Sequence, residues 1–205
     1  MILYGGGLSP FVRRVALWLA VQDRPFERRL VKVLASDFDG VTAVNPLGRV
    51  PVLVAEDGAS LIETSAIIDY LEDTAPAGKR LLPASGPDRR AALQRIGYAN
   101  GVAEKGVALI YETSKRPAQY HWPDWQQRLA LQIRNGLEAL EQLHSTDGRT
   151  DGLPPDGATI AAVCAYDFIT VGHPALIGPD LPRLAALSQR ANALPGFRQT
   201  YPVMV

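Results

Sequence analysis

The hydrophobic pattern of this sequence changes once, at a stretch rich in proline, glycine, alanine and serine over residues 76–87. Before it, short apolar runs typical of strands alternate with helical segments, in the order β-α-β-α-β-β-α. After it, no convincing strand pattern remains, and apolar residues recur at helical spacing. This division predicts an α/β domain over residues 1–77, a linker over 78–88 and an all-helical domain over 89–205.

Signals at the ends of elements support this division. Ser9-Pro10 is typical of a helix start, because serine accepts from free amides and proline lacks an amide that would stay unpaired. The other elements predicted before the linker are a strand over 26–33, a short helix or irregular segment over 36–44, a hairpin of 50–54 with 59–62, and a helix over 64–73. The helices predicted after it cover 89–115, 122–143, 159–171, 181–193 and 196–201, with a loop over 147–157. The predicted fold class is therefore α/β plus all-α.

Composition and charge exclude several classes of function. Lysine plus arginine and aspartate plus glutamate both number 21, so the chain lacks the basic surplus of a nucleic-acid binder. No apolar run reaches the roughly 18–20 residues of a membrane span, and the start lacks the pattern of a signal peptide. The single cysteine, Cys164, cannot form an internal disulfide. We therefore expect a soluble, cytoplasmic protein with no nucleic-acid or membrane partner.

The histidines and the cysteine indicate neither a metal site nor a reactive thiol. His121, His144 and His173 lie far apart in sequence and lack neighbours at metal-ligand spacing, so no metal is expected. Cys164 lies among small apolar residues of a predicted helix, which indicates packing.

Three polar motifs of the first domain carry possible chemistry. Ser9 lies at a helix N-terminus, where free amides and the helix dipole favour an anion such as a thiolate, to which the hydroxyl can donate. Val50-Pro51 precedes a strand, and a cis bond there would let an extended peptide pair with the Val50 backbone. Glu63-Thr64 lies where a strand gives way to a helix and suits the zwitterionic end of a small peptide. Alone, each motif also fits a plainer role: a cap, a loop entering a strand, or a polar first turn.

Together, the order and spacing of the three motifs resemble a known family. Ser9-Pro-Phe-Val-Arg-Arg-Val15, Asn45-Pro-x-Gly-x-Val-Pro51 and Glu63-Thr-Ser-Ala-Ile-x-x-Tyr-Leu71 look like the glutathione site of cytosolic, bacterial-like glutathione S-transferases that use a serine. The domain order, the linker and the helical second part agree over essentially the whole chain. The resemblance implies a thioredoxin-like first domain with a mixed four-stranded sheet, and a helical domain with the electrophile-binding side.

The resemblance also implies a role for each motif. Ser9 would hydrogen-bond the thiolate of glutathione, which is the co-substrate. Val50, before a cis Pro51, would pair its backbone with the cysteinyl part of glutathione. Glu63 and Thr64 would hold the γ-glutamyl end. The implied reaction is conjugation of glutathione to hydrophobic electrophilic small molecules, as in detoxification.

Other implications of the resemblance concern the glycyl end and the assembly. Arg49 or Lys32 would meet the glycyl carboxylate, since the family varies there. A homodimer would form through residues 89–106 against the partner's first domain. Family members commonly begin the helix after the long loop with Ser/Thr-x-x-Asp, whereas Thr159 is followed by Ala162 here, which weakens the expected cap.

Three alternatives remain at this point. Tyr4 is a rival for the thiolate contact, because some members of the family use a tyrosine near the end of the first strand. The chain could also be a non-catalytic member that keeps the fold as a ligand-binding or interaction protein. A glutathione-dependent isomerase or dehalogenase is the third alternative, but Gly7-Leu8-Ser9 does not match the Ser-Ser-Cys run usual in the isomerase lineage.

Overall fold

The computed structural model describes residues 1–32, 37–144 and 155–203. The chain divides into two compact units, the first formed by Met1–Leu82 with Leu194–Val205 and the second by Pro83–Ala193. The last segment thus groups with the first unit by its contacts, whereas the sequence pattern assigns it to the helical domain. The domain bounds 1–77 and 89–205 stay a prediction.

The first unit contains a mixed four-stranded sheet, as predicted. Its strands are Ile2–Tyr4 (β1), Glu27–Arg29 (β2), Val52–Val54 (β3) and Ser60–Ile62 (β4), and their order is β2-β1-β3-β4. β1 runs parallel to β2 and antiparallel to β3, and β3 and β4 form the predicted hairpin. β2 is shorter than the predicted strand, of which Val33 lies outside the described residues, as does Ser36 of the next segment.

Eight α-helices occur in the described part of the chain. They are Pro10–Val21 (α1), Phe38–Thr42 (α2), Thr64–Asp73 (α3), Gly86–Ile110 (α4), Pro123–Leu143 (α5), Gly157–Gly172 (α6), Pro182–Asn192 (α7) and Pro195–Gln199 (α8). The predicted helix over 89–115 is α4 up to Ile110, and Tyr111–Lys115 continues as a π-helical turn. Most of the predicted loop over 147–157 lies outside the described residues. None of the helices described is long and apolar enough to cross a membrane.

A buried carboxylate joins three parts of the first unit. Glu72, near the end of α3, accepts hydrogen bonds from Trp18 Nε1 at 2.8 Å and Gln22 Nε2 at 3.1 Å. The same carboxylate accepts from the amides of Leu81 and Leu82, each at 3.0 Å. These bonds compensate the burial of the charge and fix the chain after α3 against α1.

The second unit is a packed set of helices around α6, which is buried on nearly all sides from Gly157 to Ile169. Gly106 of α4 allows close approach, because a Cβ there would lie 2.6 Å from the ring of Phe168 and 2.7 Å from Ile169 Cδ1. Ile133 and Leu137 of α5 are fully buried. The helical fold of the second part is therefore confirmed.

Acidic side chains cap two helices of the second unit. Asp156 is the N-cap of α6, and its Oδ1 accepts from the Thr159 amide at 2.7 Å. The sequence-based assignment of the cap to Thr159 is therefore wrong, because the helix begins one turn earlier. Glu141 of α5 accepts from the amides of Arg183 and Leu184, each at 2.8 Å, at the start of α7. Both carboxylates satisfy amides that have no partner within the helix.

Candidate functional site at one end of the sheet

The register of the sheet brings the three polar motifs to one end of it. β1 ends at Tyr4, which pairs with Val52 at the start of β3, and Val52 pairs with Ile62 at the end of β4. The segments that continue past these residues are the loop to Ser9, Val50-Pro51 and Glu63-Thr64. Segments up to 55 positions apart in sequence thus continue from the same end of the sheet.

Ser9 is the N-cap of α1, with Pro10 as the first helical residue. Its Oγ accepts from the amide of Val12 at 3.3 Å, and the side chain is half-buried. A hydroxyl that accepts one bond keeps its own hydrogen to donate. The loop before it lies close to α1, since a Cβ on Gly5 would be 2.1 Å from the side chain of Val12. Ser9 can therefore cap the helix and donate to an anion at the positive end of the helix dipole.

The peptide bond between Val50 and Pro51 is cis, which confirms that sequence expectation. Within the residues the structure describes, the amide and the carbonyl of Val50 take part in no hydrogen bond. Buried Asn45 fixes the preceding loop, because its Nδ2 donates to the Arg49 carbonyl at 2.7 Å and its Oδ1 accepts from the Leu47 amide at 3.0 Å. This loop presents a backbone edge with free donor and acceptor groups.

Glu63 has a backbone conformation that non-glycine residues rarely adopt. Its φ is +67°, and Asp23 is the other non-glycine residue with a positive φ in the described chain. Such a conformation costs on the order of 1–3 kcal/mol and is found preferentially at functional sites. The Glu63 side chain is exposed, whereas Thr64, the first residue of α3, is buried. The strained residue thus presents a carboxylate beside the free amides at the start of α3.

Tyr4, the rival to Ser9, is engaged on the side of β2. Its hydroxyl oxygen accepts from Arg29 Nη1 at 2.6 Å, and the Arg29 guanidinium lies 5.4 Å from the centre of its ring. The hydrogen bond with Glu27, which is the larger cause, and the one with Tyr4 raise the pKa of Arg29 above its ordinary value. Arg29 and Tyr4 pair across adjacent strands, so the position of the phenol is set by the sheet.

Arg49 and Lys32 are both exposed near the same end of the sheet. Lys32 follows β2, and its amide donates to the Asp37 carboxylate at 2.7 Å. Arg49 stands just before Val50 in the loop that Asn45 fixes. No group of three or more metal-binding side chains occurs among the described residues.

The sequence motifs include Glu63 and Asn45, but sequence reasoning missed the backbone conformation of Glu63 and the part of Asn45 in fixing its loop. The strained backbone of Glu63 has no sequence signal, because a glutamate gives no indication of a positive φ. Asn45 does have one, since an asparagine whose side chain accepts from the amide two residues later is typical of a turn.

These features define a class of fold. A sheet of order β2-β1-β3-β4, with a helix after β1 and a cis-proline before β3, is thioredoxin-like, and a set of helices follows it. The sequence model of the glutathione S-transferase N-terminal domain matches residues 3–80. The chain is 30% identical to the uncharacterized GST-like protein YibF of Escherichia coli over 98% of both chains. It therefore belongs to the glutathione S-transferase family, a family of glutathione-dependent enzymes.

Two further similarities bear on chemistry. A maleylacetoacetate isomerase of Pseudomonas aeruginosa is 31% identical to this chain, covering 78% of it and 74% of the isomerase. A crystal structure of a glutathione S-transferase from Methylobacterium radiotolerans, in complex with glutathione sulfonate, superposes with a TM-score of 0.90. That protein is 28% identical to this one, and the match covers 100% of this chain and 95% of the other.

Proposed function

We propose that this chain is a serine-type glutathione transferase that holds glutathione as a thiolate at Ser9 and transfers its sulfur to a hydrophobic electrophile. The observation that carries the proposal is the position of the Ser9 hydroxyl. It caps α1 at the same end of the sheet at which the other two motifs lie. Family membership and the relative with bound glutathione sulfonate support the choice of ligand.

The proposed mechanism needs little acid–base machinery from the protein. The dipole of α1 and the Ser9 hydroxyl stabilise the thiolate, so that the thiol loses its proton to water on binding. The sulfur then forms a bond to an electrophilic carbon, and the displaced electron pair departs with a leaving group or takes up a proton from water. A thiolate is intrinsically a strong nucleophile, so positioning and a lowered thiol pKa account for the activation.

Contacts at the two other motifs and at one basic side chain would hold the rest of glutathione. The free amide and carbonyl of Val50, beside Pro51, can pair with the cysteinyl backbone as an added strand. The amides at the start of α3 favour the γ-glutamyl carboxylate, and the exposed carboxylate of Glu63 can pair with the ammonium. Thr64 contributes the first amide of that helix. Arg49 or Lys32 would pair with the glycyl carboxylate.

Exposed aromatic side chains support an apolar electrophile. Tyr111, Tyr120 and Trp122 are exposed in the second unit, near the end of α4 and the start of α5. Glu112 is buried beneath this segment and accepts from the Trp122 amide at 3.0 Å. A fixed segment that presents aromatic rings suits apolar, planar molecules.

We also propose a homodimer, formed through the exposed face of α4. A hollow of about 420 Å³ lies along its first half, lined by Gly86, Arg89, Arg90, Leu93, Gln94 and Gly97. A Cβ on Gly97 would meet nothing within 4 Å, so this face admits close approach of another element. Asp69 and Asp73 are exposed on α3 of the first unit and complement the arginines in charge.

The decisive experiment is an ultraviolet titration of the thiol of bound glutathione in the wild type and in Ser9→Ala. We expect a thiol pKa below its free value in the wild type. Loss of a hydrogen bond to a charged group costs about 1.5–3 kcal/mol, so Ser9→Ala should raise that pKa by about one to two units and lower kcat/KM at least tenfold. Ser85→Ala is the matched control, because Ser85 is also a helix N-cap but makes no side-chain capping bond.

A second variant tests the proximity of Ser9 to sulfur independently of activity. Ser9→Cys should form a mixed disulfide with oxidised glutathione, detectable by mass spectrometry of the intact protein. Cys164 is the internal control, since it is buried and should stay unmodified in the wild type. An unshifted thiol pKa in the wild type, despite binding, would favour the non-catalytic alternative, and a shift that survives Ser9→Ala would assign the contact to Tyr4 or the backbone.

The isomerase variant shares the same first step. The similarity to maleylacetoacetate isomerase supports it, whereas Gly7-Leu8-Ser9 departs from the run usual in that lineage. Product analysis separates the two reactions, because an isomerase releases free glutathione and a conjugating enzyme consumes it.

A further inference from the structure

We infer that Arg13 is a positioning residue that holds the first turn of α1, and with it Ser9, against the C-terminal segment, defined here as Leu194–Val203. The inference rests on the proposed role of Ser9 and extends it to a part of the chain that none of the three site motifs includes. Arg13, Ser9 and the C-terminal segment all belong to the first unit.

The side chain of Arg13 makes three contacts with this segment. Its Nη2 donates to the Phe197 carbonyl at 3.2 Å, and its Nε donates to Thr200 Oγ1 at 3.4 Å. Its guanidinium lies 5.5 Å from the centre of the Tyr201 ring, within the range of a cation–π interaction. Arg13 is 1% exposed, as is Phe197, so the hydrogen bond between them is buried, whereas Thr200 is half-buried and Tyr201 is exposed.

The backbone of Arg13 connects these contacts to Ser9. The Arg13 amide donates to the Ser9 carbonyl at 3.1 Å, which is the first α-helical hydrogen bond of α1. One residue thus binds Ser9 through its amide and the C-terminal segment through its side chain. Because helical side chains lean toward the N-terminus, the long Arg13 side chain extends along the turn that Ser9 caps.

The chemistry of these contacts requires arginine. The planar guanidinium donates to two oxygens in fixed directions while its face stacks on an aromatic ring. A lysine keeps the positive charge but presents a single ammonium group and cannot form this fork. Comparison of the wild type with Arg13→Lys therefore distinguishes two roles of Arg13, that of a fixed anchor and that of a positive charge near the thiolate.

The test compares the thiol pKa of bound glutathione, kcat and KM for Arg13→Gln and Arg13→Lys. We expect both variants to raise the thiol pKa by about one unit and to lower kcat about tenfold, because both lose the fork. KM for glutathione should change less, since Val50, Glu63 and Thr64 are untouched. Rescue of the pKa by Arg13→Lys would overturn the inference, because it would show that charge alone is needed.

Variants of the C-terminal segment test the same coupling from the other side. Thr200→Val and Tyr201→Leu should each raise the thiol pKa, as the Arg13 variants do. Each should lower kcat about threefold, a loss typical of one weak contact. Neither should add to Arg13→Gln, because their partner is then absent. Arg198→Gln is the matched control, being an exposed arginine of the same segment, and should leave all three quantities unchanged. Wild-type values in Thr200→Val and Tyr201→Leu would overturn the inference.

Thermal unfolding and Ser9→Ala complete the design. Variants are compared at a temperature where circular dichroism shows that all of them are folded. A variant that is less stable than the wild type but keeps its thiol pKa would count against the inference. An effect of Ser9→Ala on the thiol pKa without one of Arg13→Gln would refute only the role of Arg13. If Ser9→Ala has no effect, the proposed function itself fails.

Discussion

Two histidines of the second unit lie in surroundings that disfavour their charged forms. Burial lowers the pKa of His144, whose Nδ1 bonds the Leu140 carbonyl at 2.8 Å, and the charge of Arg95 lowers it further. Its Nε2 is buried without a hydrogen-bond partner within the described residues. Burial also lowers the pKa of His173, whose Nε2 bonds the Gly106 carbonyl at 2.8 Å. Each ring is therefore harder to protonate in the folded state than in the unfolded one.

These lowered pKa values predict a loss of stability in mild acid. The unfolded histidines have a pKa of about 6.5, so below that pH the unfolded state binds more protons than the folded one. Their contribution is fully present above about pH 6.5 and is lost as the pH falls toward the folded pKa values. We expect the free energy of unfolding in urea to be lower at pH 5.5 than at pH 7.5.

His144→Gln tests this prediction, since it cannot titrate and should reduce the difference between the two pH values. Leu143→Gln is the control, because it changes the exposed neighbour and should keep the full difference. Equal stability of the wild type at both pH values would contradict the prediction.

At the scale of elements, the contact between α4 and α6 depends on the absence of a side chain at Gly106. A Cβ there would come within 2.7 Å of Phe168 and Ile169, which is too close without movement of both. Gly101 lies on α4 with nothing within 4 Å of its Cβ position. The two glycines therefore differ in what a methyl group would do.

Gly106→Ala should lower the free energy of unfolding by about 1–3 kcal/mol, the usual cost of overpacking a core. Gly101→Ala is the matched control and should be neutral or stabilising by up to about 1 kcal/mol, because alanine favours the helix. Urea unfolding of both variants measures the difference. A Gly106→Ala protein as stable as the wild type would show that α6 can shift away from α4.

Local signals account for the elements that the sequence predicted well. α1 begins at the predicted Pro10, because its Ser9 cap is readable in a short window, and α3 covers the predicted 64–73, because its apolar face is. The start of α6 was misplaced, because Asp156 and Thr159 are both capping residues and only the packed structure selects one. The capping of α7 by Glu141 was not predictable, since Glu141 lies 42 and 43 positions from the two residues whose amides it caps.

For the whole molecule, the family resemblance of the three motifs was sufficient to predict the thioredoxin-like sheet, while the glutathione site stays a proposal. The motifs lie directly at strand ends, and the mixed sheet brings these ends together. The contacts of Arg13 were beyond such reasoning, because an arginine in a helical pattern is usually exposed. Its partners lie in the C-terminal segment, and the apolar pattern of that segment does not indicate which unit it packs against.

The proposed dimer gives a prediction at this scale. The wild type should sediment as two copies at micromolar concentration, and Leu93→Arg should sediment as one, because it places a third arginine beside Arg89 and Arg90. Leu131→Arg is the matched control, since Leu131 of α5 is 48% exposed and Leu93 is 45% exposed. A wild type that sediments as a monomer would refute the dimer, and a monomeric Leu131→Arg would assign it to another face.

The link between Arg13 and Phe197 has a consequence for the synthesis of the protein. The two residues are separated by 184 positions, and the whole second unit lies between them in the chain. A ribosome therefore completes β1, α1 and the rest of the sheet long before the oxygens that cover Arg13 are made. Until they emerge, the nascent first unit has a guanidinium in its interior without these acceptors. The first unit, although its synthesis begins first, thus gains the contacts of Arg13 only after the whole second unit has been synthesised.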